Sequence, residues 1–109
     1  MSAPSFRNQL GSQVLLDLLA DKWTIPVVHE LARGTRRFSE LQHHLATVSP
    51  KVLTQCLRRL ERHGLVQRTV HAEVPPRTEY ALTALGRTLD EPLRTLCRWV
   101  EEHGAALRG

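Results

Sequence analysis

Aromatic residues, cysteine motifs and long apolar runs are all scarce in this chain of 109 residues. Aromatic residues make up 5% of it, too few for the stacking surfaces that bind RNA or single strands. The cysteines, Cys56 and Cys97, lie far apart with no CxxC spacing, which argues against a metal clip or disulfide framework. No run is long enough for a signal peptide or membrane span, so we expect a cytoplasmic protein that does not contact membranes.

Catalytic and cofactor-binding motifs are missing as well. The six histidines show no HExxH motif and no clustered ligand pattern. We therefore expect neither a bound metal nor any other cofactor. No combination of nucleophile, base and orienting acid is recognisable, and we expect no enzymatic activity.

Positive charge is concentrated in the middle of the chain. The formal net charge is +4, but between residues 33 and 77 nine Arg or Lys stand against three Glu, a local charge of +6. A basic centre between weakly acidic ends favours a middle that binds a polyanion and ends that dimerise. A chain of this length is expected to form one domain, near the size at which dimerisation often supplies extra burial.

The stretch from Ser49 to Tyr80 has the pattern of an amphipathic helix followed by a hairpin. Ser49 and Pro50 are typical of a helix start, and Gly64 is typical of its end. One face of this helix is apolar and is formed by Leu53, Cys56, Leu57 and Leu60. The opposite face is polar and cationic and is formed by Lys51, Gln55, Arg58 and Arg62, flanked by Thr54 and Arg59.

Three helices are predicted before this basic helix. The first, from Ser12 to Ala20, is apolar almost all round, so we expect it to pack partly against a second copy. Thr24 is predicted to cap the second helix. Ser39 is predicted to cap the third, as the first residue of a capping box. The short linker from the third helix to the basic helix predicts a helix-turn-helix, with the basic helix in the recognition role.

Residues 65–71 and 77–82 predict two strands that are separated by a stiff Pro75-Pro76 tip, which is a wing. Thr83 is predicted to cap the last helix. We expect Pro92 to kink or break that helix near Leu89. Its leucines recur at the spacing of an interhelical seam.

Several short motifs resemble the HxlR family of bacterial transcription regulators. They include Arg37-Phe38-Ser39-Glu40-Leu41, His63-Gly64-Leu65-Val66, Pro75-Pro76-Arg77-Thr78-Glu79-Tyr80 and Leu82-Thr83-Ala84-Leu85-Gly86. The resemblance covers about residues 15–100. It implies a homodimeric winged helix-turn-helix that binds inverted-repeat operators, with the N- and C-terminal helices forming the dimer interface.

One feature of that family is absent here. Many members sense oxidants through a cysteine about a dozen residues before the Lys22-Trp23 pair, where this chain has Leu10. Oxidant sensing through that position is therefore not implied. Cys56 and Cys97 are candidate replacements, but each lies on the apolar stripe of its own helix, and we expect both to be structural.

Together these patterns predict a mainly α fold with a small β-hairpin wing. We expect a flexible arm at residues 1–9, the winged helix-turn-helix domain at 10–103 and a flexible tail at 104–109. The expected dimer contacts are Leu15, Leu16, Leu19, Leu89, Leu93, Leu96, Trp99 and Val100.

The expected function is sequence-specific binding of double-stranded DNA by a homodimeric repressor whose effector the sequence does not identify. Thr54, Gln55 and Arg58 are expected to read base edges. The remaining expected contacts, to phosphate or at the wing, are Arg36, Arg37, Ser49, Lys51, Arg59, Arg62, His71 and Arg77. The alternative is a winged-helix module whose basic face binds an acidic protein.

Overall fold

Helices dominate the structure, and a small antiparallel sheet lies against them. The computed structural model describes residues 10–108, with side chains from residue 13 onward, so the predicted arm at 1–9 lies outside the described residues. The elements in order are α1 (Leu10–Leu19), α2 (Thr24–Ala32), β1 (Arg36–Arg37), α3 (Phe38–His44), α4 (Pro50–Arg62), β2 (Val66–His71), β3 (Arg77–Leu82) and α5 (Ala84–His103). Residues 104–108 follow α5 as an exposed turn and coil.

The basic helix α4 has the predicted bounds and buries the predicted face. The Ser49 hydroxyl accepts a hydrogen bond from the Val52 N–H at 3.2 Å, and Gly64 follows the helix with a φ of +73°. That backbone region is open to glycine at little cost, which explains why the chain turns there. Burying one leucine of this face stabilises the fold by roughly 1.5–3 kcal/mol. Its four fully buried side chains are those of Leu53, Cys56, Leu57 and Leu60.

The predicted wing is confirmed, and a third strand that was not predicted joins it. Strands β2 and β3 pair antiparallel from Val66 opposite Leu82 to His71 opposite Arg77. The two residues of β1, Arg36 and Arg37, pair with the other edge of β3. The sheet order is therefore β1-β3-β2.

Two predicted helix caps are wrong. Thr24 does not cap α2, because its buried hydroxyl donates to the carbonyl oxygen of Leu18 at 2.6 Å and so satisfies the end of α1. Helix α3 begins at Phe38, one residue before the predicted Ser39 cap. Its first turn is held instead by the Glu40 carboxylate, which accepts a hydrogen bond from the Arg37 N–H at 2.8 Å.

The expectation near Leu89 was a kink or a break, and a break is ruled out because helix α5 is continuous through Pro92. Pro92 and Thr88 are both exposed, so water can solvate the Thr88 carbonyl that proline leaves without its helical partner. The start of α5 is fixed by Thr83, whose hydroxyl accepts from the Gly86 N–H at 3.0 Å, as the sequence predicts.

Candidate nucleic-acid interface

The outward face of α4 is an exposed cationic surface. Lys51, Gln55, Arg58 and Arg62 are all exposed, and Thr54 at its margin is half-buried. Within the described part of the chain, none of the three cations on this face forms an ion pair. Their charges are therefore available to an external anion. We call these four residues the outward face.

One edge of α4 is held by Asp17 on α1 and by Asp21 in the turn that follows α1. Arg59 Nε lies 3.3 Å from Oδ1 of Asp17, and its Nη1 donates to Oδ2 of Asp21 at 2.6 Å. The expected phosphate contact of Arg59 stays a prediction, but its guanidinium already contacts two carboxylates inside the fold. Asp21 lies 38 residues before Arg59 in sequence, beyond what helical periodicity can show.

His63 extends the same edge. Its Nε2 donates to Oδ2 of Asp17 at 2.7 Å. This hydrogen bond is the main reason that the pKa of Asp17 lies below its ordinary value, and the charge of Arg59 acts in the same direction. We call Asp17, Asp21, Arg59 and His63 the acid–base tie.

The opposite edge of α4 faces the sheet. Arg68 on β2 lies with its Nε 3.8 Å from Oε2 of Glu61, the one acid of α4. Arg68, Arg58 and Thr54 line a narrow slot with Tyr80, and burial is the main cause that raises the pKa of the Tyr80 hydroxyl. Arg68 was not predicted as a site residue. It lies two residues after buried Val66 and so on the same face of β2, which is the signal that could have placed it beside the helix.

The wing cations are paired with acids. Arg77 Nε lies 3.0 Å from Glu79, and its Nη2 lies 3.4 Å from Glu73. His71 also contacts Glu79, at 2.8 Å. The expected contacts of Arg77 and His71 with DNA stay predictions, and both side chains already contact carboxylates of the wing.

The two arginines of β1 differ. Arg36 is half-buried, with Nε 4.0 Å from Glu30 and Nη1 donating to the Thr35 carbonyl at 3.1 Å. Arg37 is exposed and lines a shallow groove with the wing tip at residues 73–78. Arg37 is thus the better placed of the two for an external anion.

The cysteines occupy contrasting environments. Cys56 is 1% exposed, and burial raises the pKa of its thiol to about 12. A thiol that stays protonated is a poor nucleophile, which fits the structural role expected for it. Cys97 is exposed and lies outside the core of the chain, and the structural role expected for it stays a prediction.

The predicted dimer residues fall into two groups. Leu93 is buried in the core of the chain, and Leu89 packs partly against that core, so the assignment of Leu93 to a dimer contact is corrected. The other residues expose large apolar side chains by 41% to 66%: Leu15, Leu16, Leu19, Leu96, Trp99 and Val100. The heptad-like spacing of α5 did not distinguish its inward from its outward residues.

In the part of the chain that the structure describes, no group of three His, Cys, Asp or Glu side chains is placed to hold a metal ion. None of the helices at residues 10–103 combines the length and hydropathy that a membrane crossing requires.

Comparison with known proteins agrees with this architecture. A relative from Synechocystis, an HTH-type transcriptional regulator, is 44% identical over 83% of this chain and 70% of its own length. The regulator YtcD of Bacillus subtilis is 37% identical over 89% of this chain and 77% of its own. The solved structure of the transcriptional regulator ytfH from Salmonella typhimurium superposes with a TM-score of 0.81 at 32% identity, covering 96% of this chain and 94% of that one.

A helix-turn-helix, a hairpin wing and a cationic second helix together define a winged helix-turn-helix protein that binds DNA and regulates transcription. The family model described as HxlR-like helix-turn-helix matches residues 18–107. The chain belongs to that family.

Proposed function

We propose that this regulator is a homodimeric repressor that binds an inverted-repeat operator through the outward face of α4. The observation that carries the proposal is the division of charge on that helix. The arginine on its edge is neutralised by acids of the same chain, whereas Lys51, Arg58 and Arg62 point outward without a partner among the described residues. Such a surface is suited to a strongly anionic groove.

Base reading is assigned to the side chains at the centre of the outward face. Arg58 is long enough for a bidentate contact with guanine, and Gln55 has the donor and acceptor pair that adenine requires. Thr54 lies beside them at the margin. Lys51 and Arg62, towards the two ends of the helix, are assigned to phosphates, and so is Ser49 at its cap.

Dimerisation is assigned to the exposed apolar side chains of α1 and α5. Leu16 is 66% exposed, and Leu96, Trp99 and Val100 on α5 are each about half exposed. Large apolar surfaces of this kind usually mark an association site. A twofold dimer would present two copies of α4 to one side of a duplex, about 34 Å apart or a multiple of that distance. Repression then requires only that the operator be occupied.

The test is selection of bound duplex fragments from genomic DNA by the purified protein, followed by footprinting. We expect an inverted repeat protected symmetrically. Arg58→Ala should cost about 1–3 kcal/mol of binding and relax the preference at one base pair in each half-site. Arg108→Ala removes an equal charge from the exposed C-terminal coil and should change neither the binding free energy nor the base preference. A protein that selects no duplex, or an Arg58→Ala variant with unchanged ranking of operators, would reject the proposal.

A further inference from the structure

The acid–base tie joins the helix proposed to dimerise to the helix proposed to bind DNA. On α1, Leu15 and Leu19 lie on the side opposite Asp17, as helical spacing requires. The side with Leu15 and Leu19 is apolar and exposed, and Asp17 on the other side is bonded to α4. Helix α1 therefore lies between a free apolar surface and one edge of the recognition helix.

Among the α1 side chains that the structure describes, from residue 13 onward, few other interactions fix the direction of the helix. Leu18 is buried in the core, and the Leu18 carbonyl accepts the hydrogen bond from the Thr24 hydroxyl. Val14, one turn earlier, packs partly against the same core, and together these contacts act as a pivot. The carboxylates of Asp17 and Asp21, bonded to Arg59 and His63, are the contacts that resist rotation about that pivot.

The geometry of the acid–base tie suits it to resist rotation of α1. Arg59 and His63 are four residues apart and therefore lie on the same edge of α4. The Arg59 guanidinium contacts both acids, and Asp17 contacts both basic side chains. A connection through three contacts with planar groups restrains orientation as well as distance, because Arg binds carboxylates in a fixed fork geometry.

We infer that Arg59 and His63 are positioning residues that set the half-site spacing accepted by the dimer, by holding α1 at a fixed angle to α4. The inference rests on the proposed function. Successive bases on a strand are about 3.4 Å apart, so a small rotation of α1 changes the separation of the two α4 helices by a base-pair step. Loss of the tie should therefore alter which spacers are tolerated.

The experiment measures binding of the full chain to duplexes that carry the selected half-sites with spacers varied in steps of one base pair. The wild type should prefer one spacer. In Arg59→Gln, discrimination against spacers one base pair shorter or longer should fall by about tenfold, the order expected for loss of a charge-assisted hydrogen bond. His63→Gln, at the helix end, should cause a smaller loss in the same direction.

Arg62→Gln is the matched control, because it removes the same charge from the outward face of the same helix. It should weaken binding to every spacer by a similar factor and leave their ranking unchanged. Asp17→Asn changes the acid that contacts both basic side chains, so it should lower discrimination in the same direction as Arg59→Gln, which Arg62→Gln should not do.

The outcomes are distinguishable. If Arg59→Gln lowers binding to all spacers equally, as Arg62→Gln is expected to do, Arg59 is a phosphate contact and the inference is overturned while the proposed function stands. Unchanged spacer preference in Arg59→Gln overturns it too. If the wild type binds no duplex at all, the proposed function fails and this inference fails with it.

Discussion

Gly86, in the first turn of α5, is the position where a single methyl group should do the most damage. It is buried against Leu65, the residue that follows the turn after α4. A Cβ at this position would overlap the Leu65 carbonyl oxygen and lie 2.9 Å from its carbonyl carbon. That same carbonyl accepts a hydrogen bond from the Thr83 N–H at 3.0 Å. The methyl group would therefore separate two backbone segments that are bonded to each other.

The expected magnitude follows from three contributions to the free energy of unfolding. Alanine is favoured over glycine in a helix by about 1 kcal/mol. Overpacking against backbone costs about 1–3 kcal/mol, and weakening the Thr83 to Leu65 hydrogen bond costs about 1 kcal/mol more. The net effect of Gly86→Ala is a destabilisation of about 1–3 kcal/mol. Each kcal/mol should lower Tm by about 4–8 °C in a domain of this size.

The assay is urea and thermal unfolding followed by circular dichroism at one fixed protein concentration, because dimerisation would make Tm depend on concentration. Gly104→Ala is the control. Gly104 has a helical φ of −55°, and an added Cβ would lie 3.1 Å from the Val100 carbonyl oxygen. The free energy of unfolding of Gly104→Ala should differ from that of the wild type by no more than about 0.5 kcal/mol. A Gly86→Ala variant as stable as the wild type would refute the reasoning.

Three further predictions concern thiol reactivity, assembly and acid stability. In the native protein, iodoacetamide should alkylate exposed Cys97 but not Cys56, because burial raises the pKa of the Cys56 thiol to about 12. Equal labelling of both cysteines in mass spectrometry would contradict this prediction. Leu96→Glu places a charge on the exposed apolar face of α5 and should convert a dimer to a monomer, as measured by sedimentation velocity. An unchanged sedimentation coefficient would show that Leu96 does not contribute to the interface. The His63 hydrogen bond holds the pKa of Asp17 below 3.8, so the stability that this bond provides is present above pH 3.8 and is lost as the pH falls through the lower, folded-state pKa. Acid titrations of Asp17→Asn should show a smaller loss of stability than those of the wild type. Identical titrations would contradict this prediction.

Features set by local spacing were predictable from the sequence. The buried stripe of α4 follows from helical periodicity, and its ends follow from Ser49 and Gly64. The wing strands follow from alternation and from the prolines between them. The outward face of α4 was predictable for the same reason, because the side of a helix opposite its buried stripe must face outward.

Features that depend on distant partners were not predictable. Arg59 has the same charge as Arg58 and differs from it only in rotation about the helix axis, and only the folded chain shows that Asp17 and Asp21 lie beside it. The assignment of Leu93 failed because a leucine repeat is equally compatible with a core and with a dimer seam. The contact of His71 with Glu79 joins two strands and depends on their register, which the sequence did not specify.

The central claim is that unpaired cations of α4 bind the phosphates of a duplex, and the salt dependence of binding tests it most directly. Lys51 and Arg62, contributed by each of two protomers, should make at least four phosphate contacts. The slope of log K against log salt concentration should therefore be about −4 or steeper, and Arg62→Gln should make it shallower by about 2. A slope near zero, or one that Arg62→Gln leaves unchanged, would contradict the account.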